Sequence, residues 1–280
     1  MGRFTSLIAG FAARHWTSAF GVAALAGLAE AQSGKRWGPL PVASDYGYRF
    51  YDLFWLITTL CTISFIIVCV LLAIPTLRDR ARPGHKAKFD HGASLKDKRV
   101  TAVISASVFL VLDAWVLVIA MKDLREAWWN IPAAEEPGVY QVEVLAQQWA
   151  WSFRHQGADG EFGTADDIIQ INELTVPNER PVSLQLTSKD VIHSLFLPEM
   201  RVKRDANPGA INEMWFKAIR SGEFTILCAE LCGFAHYQMH GKLHVLEEGQ
   251  FESWHEDASR LGIAAFDTED EEAQWAWKWE

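Results

Sequence analysis

Two uninterrupted apolar stretches constrain this chain more than any other feature. Residues 53–74 carry no charge over 22 positions, and residues 100–121 carry only Asp113. A helix rises 1.5 Å per residue, so about 20 apolar residues cross about 30 Å of hydrocarbon. Helices that long and apolar on every face are rarely the core of a soluble protein. The sequence therefore predicts two transmembrane helices. Pro75 is expected to end the first. Trp128 and Trp129 follow the second, where an interfacial aromatic belt sits. The connecting loop, residues 75–99, holds eight Lys and Arg against three acids. The positive-inside rule places that loop in the cytoplasm and both flanks on the outer face.

The remaining sequence differs in character. The mean hydropathy of +0.01 averages a helical hairpin with a polar domain. A hydrophobic content of 50% and aromatics at 12% exclude disorder as the dominant state. From Lys122 to Glu280 there are 13 basic and 28 acidic residues, a net charge of −15 against −9 for the whole chain. Such a domain repels nucleic acid and attracts a cationic partner, with an attraction that salt weakens. The acidic run at 267–272 reads as a solvated tail. Upstream, Arg3 and Arg14 precede a short apolar run at 17–28, followed by Ala29-Glu30-Ala31. That pattern matches a cleaved secretory signal, the alternative being a retained third helix. The expected organisation is a signal at 1–31 and an exported arm at 32–52. A hairpin at 53–121, an exported domain at 122–250 and a terminal helix with a Trp-rich tail at 251–280 follow.

The exported domain reads as short strands at 140–146, 149–154, 168–174, 182–187, 210–219, 222–229 and 241–248. They are rich in β-branched and aromatic residues and are punctuated by Gly, Pro, Asn and Asp. Strands without intervening helical patterns indicate an all-β sandwich or barrel. Residues 251–261 suggest a helix. The Gly- and Asp-rich insertion at 157–167 resembles a calcium loop, but its spacing fails the EF-hand pattern. A turn-rich hairpin is the favoured reading.

The chemistry lies in Cys228-Ala-Glu230-Leu-Cys232-Gly-Phe-Ala-His236-Tyr-Gln-Met239. A strained disulfide or a dithiol redox pair would use the cysteines alone. Neither needs His236 or Met239. Thiolate, imidazole and thioether together select copper, with a weak Met tuning the potential. One Cys, two His and a Met would make a mononuclear site. Two thiolates can instead bridge two coppers, each with its own imidazole. His193 is the best second histidine. His240 and His244 border or occupy an apparent strand and read as structural.

The segment from Asp190 to Met239 resembles subunit II of cytochrome c oxidase. The likeness runs through Asp190-Val-Ile-His193-Ser, Asp205-Ala-Asn-Pro208-Gly209 and the cysteine loop. Gln148-Trp149-Ala-Trp151-Ser-Phe153 looks like that family's aromatic strand. The resemblance implies two transmembrane α-helices followed by a cupredoxin-like domain with a dinuclear copper centre, CuA. Cys228 and Cys232 would bridge the coppers, and His193 and His236 would be terminal ligands. Met239 and the backbone carbonyl of Glu230 would be weak ligands, and the Glu230 side chain would reach a magnesium shared with subunit I. Trp149 matches the position where cytochrome c delivers its electron, and Asp190 an acidic docking residue.

The implied partners are a haem–copper subunit I, a cationic cytochrome c and the lipid of a bacterial inner membrane. The copper domain would face the periplasm. Lys189 stands where many relatives carry an acid. The usual proton-feeding Glu is absent before the second helix, where Asp97 and the deeper Asp113 are the available carboxyls. With no Cys-x-x-Cys-His, no covalent haem is expected. Two other functions stay open: the copper subunit of a nitric oxide reductase, and a copper-delivery or thiol-redox protein.

Overall fold

The structure is a computed structural model that describes residues 40–84, 86, 92, 94–129, 131–132 and 136–266. The expected signal sequence and the acidic, Trp-rich tail lie outside the described residues. The chain divides at Pro41 into two units, the second being Val42–Glu280.

Helix α1, Asp45–Arg78, starts earlier than the apolar stretch because Ser44 caps it, its hydroxyl accepting from the Gly47 N–H at 3.0 Å. Asp45 in the first turn and Arg78 in the last complement the helix dipole. Pro75 does not end the helix as expected. It lies in the final turn, where few further hydrogen bonds depend on it, and the Asp79 N–H closes onto its carbonyl at 2.8 Å. The hydroxyls of Thr58, Thr62 and Thr76 each donate to the carbonyl four residues back at 2.7 Å. Those three hydroxyl protons therefore need no water. Among the described residues α1 is the one helix long and apolar enough to cross a membrane.

A second helical run follows the basic loop: α2 (Leu95–Val108), a π-helical turn (Phe109–Asp113), α3 (Ala114–Leu124) and a second π-helical turn (Arg125–Trp129). Ser94 caps α2 by accepting from the Asp97 N–H at 3.1 Å, and its hydroxyl donates to the Asp97 carboxylate. Asp97 thus helps to fix the start of α2.

The rest is β. In order the strands are β1 Tyr140–Gln147, β2 Ala150–His155, β3 Ile168–Ile171, β4 Glu173–Pro177 and β5 Pro181–Ser188. Then come β6 His193–Leu197, β7 Val202–Ala206, β8 Asn212–Lys217, β9 Gly222–Cys228 and β10 His240–Leu246. One sheet runs β3-β2-β1-β5-β8 and the other β4-β10-β9-β6-β7. Pairs β1–β5 and β4–β10 are parallel, and the other pairs are antiparallel. Alternate residues of both sheets, including Val142, Val144, Leu184, Leu186, Leu195, Ile226 and Leu243, meet in one core.

The predicted strand 168–174 is two strands in different sheets. Asn172 makes the corner with φ 57°, a left-handed conformation that Asn tolerates. It is pinned to Trp151 twice, its N–H donating to the carbonyl at 2.7 Å and its Oδ1 accepting from the N–H at 2.9 Å. A terminal helix, α4 (Glu248–Ala265), covers one end of the sandwich, with Phe251 buried against Tyr140. In the 157–167 insertion the carboxylates of Asp159, Asp166 and Asp167 accept from the loop's own N–H and hydroxyl groups. Among the described residues they form no metal-ligating group.

Candidate metal centre

The site lies where two neighbouring strands deliver their ends to the same edge of a sheet. His193 opens β6 and Cys228 closes β9, and the antiparallel register sets Leu195 against Cys228. The β9–β10 connection then supplies Cys232, His236 and Met239 from one loop. Three backbone bonds anchor that loop. Ala229 N–H donates to the Ser194 carbonyl at 2.9 Å, Cys228 N–H to Met239 at 3.1 Å and Met239 N–H to His236 at 3.1 Å. His193, Cys232 and Met239 are buried, and Cys228 and His236 half-buried.

The donor atoms converge. The two sulfurs are 3.8 Å apart. His193 Nδ1 lies 3.1 Å from Met239 Sδ, His236 Nδ1 3.4 Å from Cys232 Sγ, and Cys232 Sγ 3.7 Å from Met239 Sδ. Cys228 Sγ is 3.2 Å from the Glu230 carbonyl. Ligand atoms of His193, Cys228 and Cys232 all fall within 4.8 Å of one another. Sulfurs 3.8 Å apart are closer than twice a metal–sulfur bond of about 2.3 Å. An ion can therefore bond both, with a His193 nitrogen within 4.8 Å of each sulfur and His236 Nδ1 beside Cys232. Both cysteines are free thiols, which disposes of the disulfide in this structure.

The electrostatics favour thiolate at one position. Burial raises the Cys228 thiol, but bonds with the His193 ring, the Ser194 and Glu230 backbone and Cys232 outweigh it and bring it to about 6. Cys232 is pushed up to about 12, by burial first and then by the charge on Cys228. Burial opposes protonation of His193, yet Cys228 and Asp190 beside it raise its pKa. Asp190 Oδ1 lies 2.8 Å from His193 Nε2, while Oδ2 accepts from the Gln148 N–H at 2.7 Å. Its carboxyl is held below the ordinary range, since these bonds and one from Val191 outweigh burial. The carboxylate thereby fixes the ring with Nδ1 facing the sulfurs, as a carboxylate behind a metal-bound histidine does.

Gln148 and Gly233 fall within the Gln148–Phe153 and Cys228–Met239 motifs, yet residue type alone assigns neither a role. Gln148 Nε2 and Trp149 Nε1 both donate to the Cys232 carbonyl, at 2.8 and 3.2 Å. Gly233 has φ 120°, and a Cβ there would lie 2.8 Å from Gln148 Nε2 and 3.3 Å from the Trp149 ring. Trp149 keeps 37% of its surface exposed. Trp151, two residues on, is fully buried edge-on to the His193 ring at 6.1 Å. Glu230 is exposed, and His240 and His244 stand on β10 outside the donor cluster, as expected. Asp97 and Asp113 lie on the helices, far along the chain from this loop.

An all-β, cupredoxin-like domain with a soft sulfur–nitrogen donor set, carried on an apolar helix, defines a membrane-anchored copper protein. Known proteins agree. The family model described as "Cytochrome C oxidase subunit II, periplasmic domain" matches residues 140–245. The alternative cytochrome c oxidase subunit 2 of Bradyrhizobium diazoefficiens is 30% identical over 243 residues, which cover 78% of this chain and 83% of that one. Cytochrome c oxidase subunit 2 of Cereibacter sphaeroides is 25% identical over 248 residues, covering 78% and 77%. Among solved structures, the periplasmic domain of subunit II of the Bradyrhizobium japonicum cytochrome oxidase is 32% identical. It covers 47% of this chain and 98% of its own, with a TM-score of 0.41. The chain belongs to the cytochrome c oxidase subunit II family and is part of an oxidoreductase complex, with a periplasmic domain on a membrane anchor. That family implies a CuA copper site.

Proposed function

We propose that this chain accepts electrons from a cationic c-type cytochrome and passes them to a haem–copper subunit that reduces oxygen. The convergence of two thiols, two imidazoles and a thioether within one largely buried cluster supports the reading. Cys228, Cys232, His193 and His236 would hold a pair of copper ions, with Met239 and the Glu230 carbonyl as weaker ligands. Bound there, the pair would supply one-electron redox chemistry. The chain's own residues do the rest. Asp190 holds His193 in one tautomer, burial of Cys232 and Met239 excludes water, and the Gln148–Trp149 turn clamps the loop.

Trp149 is the point of electron uptake. Its ring is part-exposed, and its Nε1–H donates to the Cys232 carbonyl, a hydrogen-bonded route from the surface to a ligand. The exposed Glu230 carboxylate is free to reach a magnesium ion at the border with the catalytic subunit. In this reading oxygen reduction belongs to the partner. The hairpin topology is part of the same reading: α1 and the run 95–129 cross the inner membrane, with the basic loop between them cytoplasmic.

Electron paramagnetic resonance and metal analysis of the purified complex test this. Two coppers per chain sharing one unpaired electron are expected, with the signal lost in Cys228→Ser. One copper per chain would refute the dinuclear centre. Oxygen consumption exceeding nitric oxide consumption separates the oxidase from a nitric oxide reductase.

A further inference from the structure

Between α4 and β3 runs a groove of about 480 Å³ that the copper site does not use. One wall is a single face of α4, made by Trp254, Ala258, Leu261 and Ala265 at helical spacing. The other is β3, where Ile169 is 40% exposed. β3 ends its sheet and pairs with β2 alone, so among the described residues its outer edge meets no strand. An open edge is a template for a further strand. Phe266, the last described residue, lines the same groove and is extended, with φ −66° and ψ 120°. The chain therefore leaves α4 against this wall. Residues 267–274 come next, five of the eight acidic, followed by Trp275-Ala276-Trp277-Lys278-Trp279. Extended, that run sets three indoles on one face and Lys278 on the other. It would span about 16 Å beside a β3 of about 13 Å, and the acidic spacer reaches about 26 Å, enough to reverse direction. Ala258 and Ala265 leave room in the groove that bulky side chains fill.

We propose that residues 275–279 double back and pair with the open edge of β3, with Trp275, Trp277 and Trp279 seated in the groove. The proposal stands apart from the copper reading. The edge supplies backbone partners, the groove takes the indoles, and the acidic spacer stays in water. The same five acids repel an anionic lipid surface, which sets the tryptophans against the domain and not the membrane. The tail is then a clasp that holds α4, and with it Trp254, over the buried His155 ring.

Hydrogen–deuterium exchange on the complex, purified in mild detergent, compares the whole chain with one stopped after Phe266. Truncation is expected to speed exchange across residues 168–171 about tenfold, the worth of about one backbone hydrogen bond. Copper signal and haem content should stay at wild-type values, showing that the domain still folds and the complex still assembles. Replacing all three tail tryptophans by serine should match the truncation. Lys278→Ser should match the wild type, because that side chain faces water. Unchanged exchange at 168–171 in the truncated chain overturns the clasp. Protection lost together with haem also overturns it, since the tail would then be gripping the catalytic subunit. A third contrary result uses the complex in brominated phosphatidylcholine vesicles. Quenching of the fluorescence that the three tryptophans add over the serine variant would mark a lipid-facing tail.

Discussion

Asp190 illustrates how a residue's neighbours decide its role. The resemblance gives it a place on the docking surface, yet its oxygens are engaged by His193 Nε2 and the Gln148 N–H. Acting through His193 makes it a positioning residue. Asp190→Ala should weaken copper binding about 10- to 100-fold, the usual cost of losing an acceptor behind a metal-bound histidine. Asp190→Asn, which still accepts, should lose less. Competition with a copper chelator reads the affinity. A raised KM for the donor with unchanged copper affinity would instead make Asp190 a docking residue. Gly233 is constrained by space and by conformation, since its φ of 120° suits only glycine. Gly233→Ala should cost about 1–3 kcal/mol of stability. It should also dislodge the Trp149 ring, visible as changed indole fluorescence and slower cytochrome c oxidation. Normal oxidation kinetics in a Gly233→Ala complex would detach Trp149 from electron uptake.

At the scale of elements, the end of the sandwich under α4 hides a titratable group. His155 on β2 is fully buried against Trp254 and Tyr140, with the Tyr140 hydroxyl 2.9 Å from Nδ1 and Gln170 3.1 Å from Nε2. Burial lowers its pKa to about 3, against 6.5 unperturbed, while the Gln170 bond works the other way. The folded state therefore keeps it neutral while the unfolded chain protonates it below about 6.5. Stability from this group is complete above pH 6.5 and is lost as pH falls toward 3, at about 1.4 kcal/mol per pH unit. Urea unfolding of the full chain in detergent at pH 7.5, 6 and 5 should show this slope. His155→Asn should flatten it relative to wild type, and an identical slope would clear His155 of the effect.

The β2 and α4 elements that make this network were legible, because their alternation and helical pattern are strong. Strands β6 and β7 were not. His193–Leu197 is a short run wedged between Asp190 and Pro198, and Val202–Ala206 is an edge strand whose charges break the alternation. Sequence spacing also hid the switch of sheets at Asn172. It is made by one backbone conformation and by bonds to a residue 21 positions away. The converging donor side chains were readable because chemistry fixes residue types in a loop. Gln148 was not, because its contribution is a single amide bond to a carbonyl 84 residues on.

For the whole molecule, the charge distribution and the shape of the copper edge divide the work of capturing a donor. The net charge of −15 after residue 121 acts over the Debye length, about 30 Å at 10 mM salt and about 10 Å at 100 mM. Close to the copper loop the surface is different. Leu231, Phe234 and Tyr237 are 78%, 90% and 75% exposed, with Trp149 beside them and Lys189 in place of an acid. Long-range attraction should therefore govern how often a cationic cytochrome arrives, and apolar contact should govern how it seats for transfer. The expected signature is a split between kinetic constants. Raising salt from about 10 to about 100 mM should lower kcat/KM for cytochrome c several-fold, while kcat changes little. Phe234→Ser should act the other way round, reducing turnover at low salt without altering the salt slope. Stopped-flow reduction of the copper centre by cytochrome c, in the intact complex, measures both. A kcat/KM indifferent to salt would mean that the acidity of the exported domain serves solubility alone and that apolar contact by itself selects the donor.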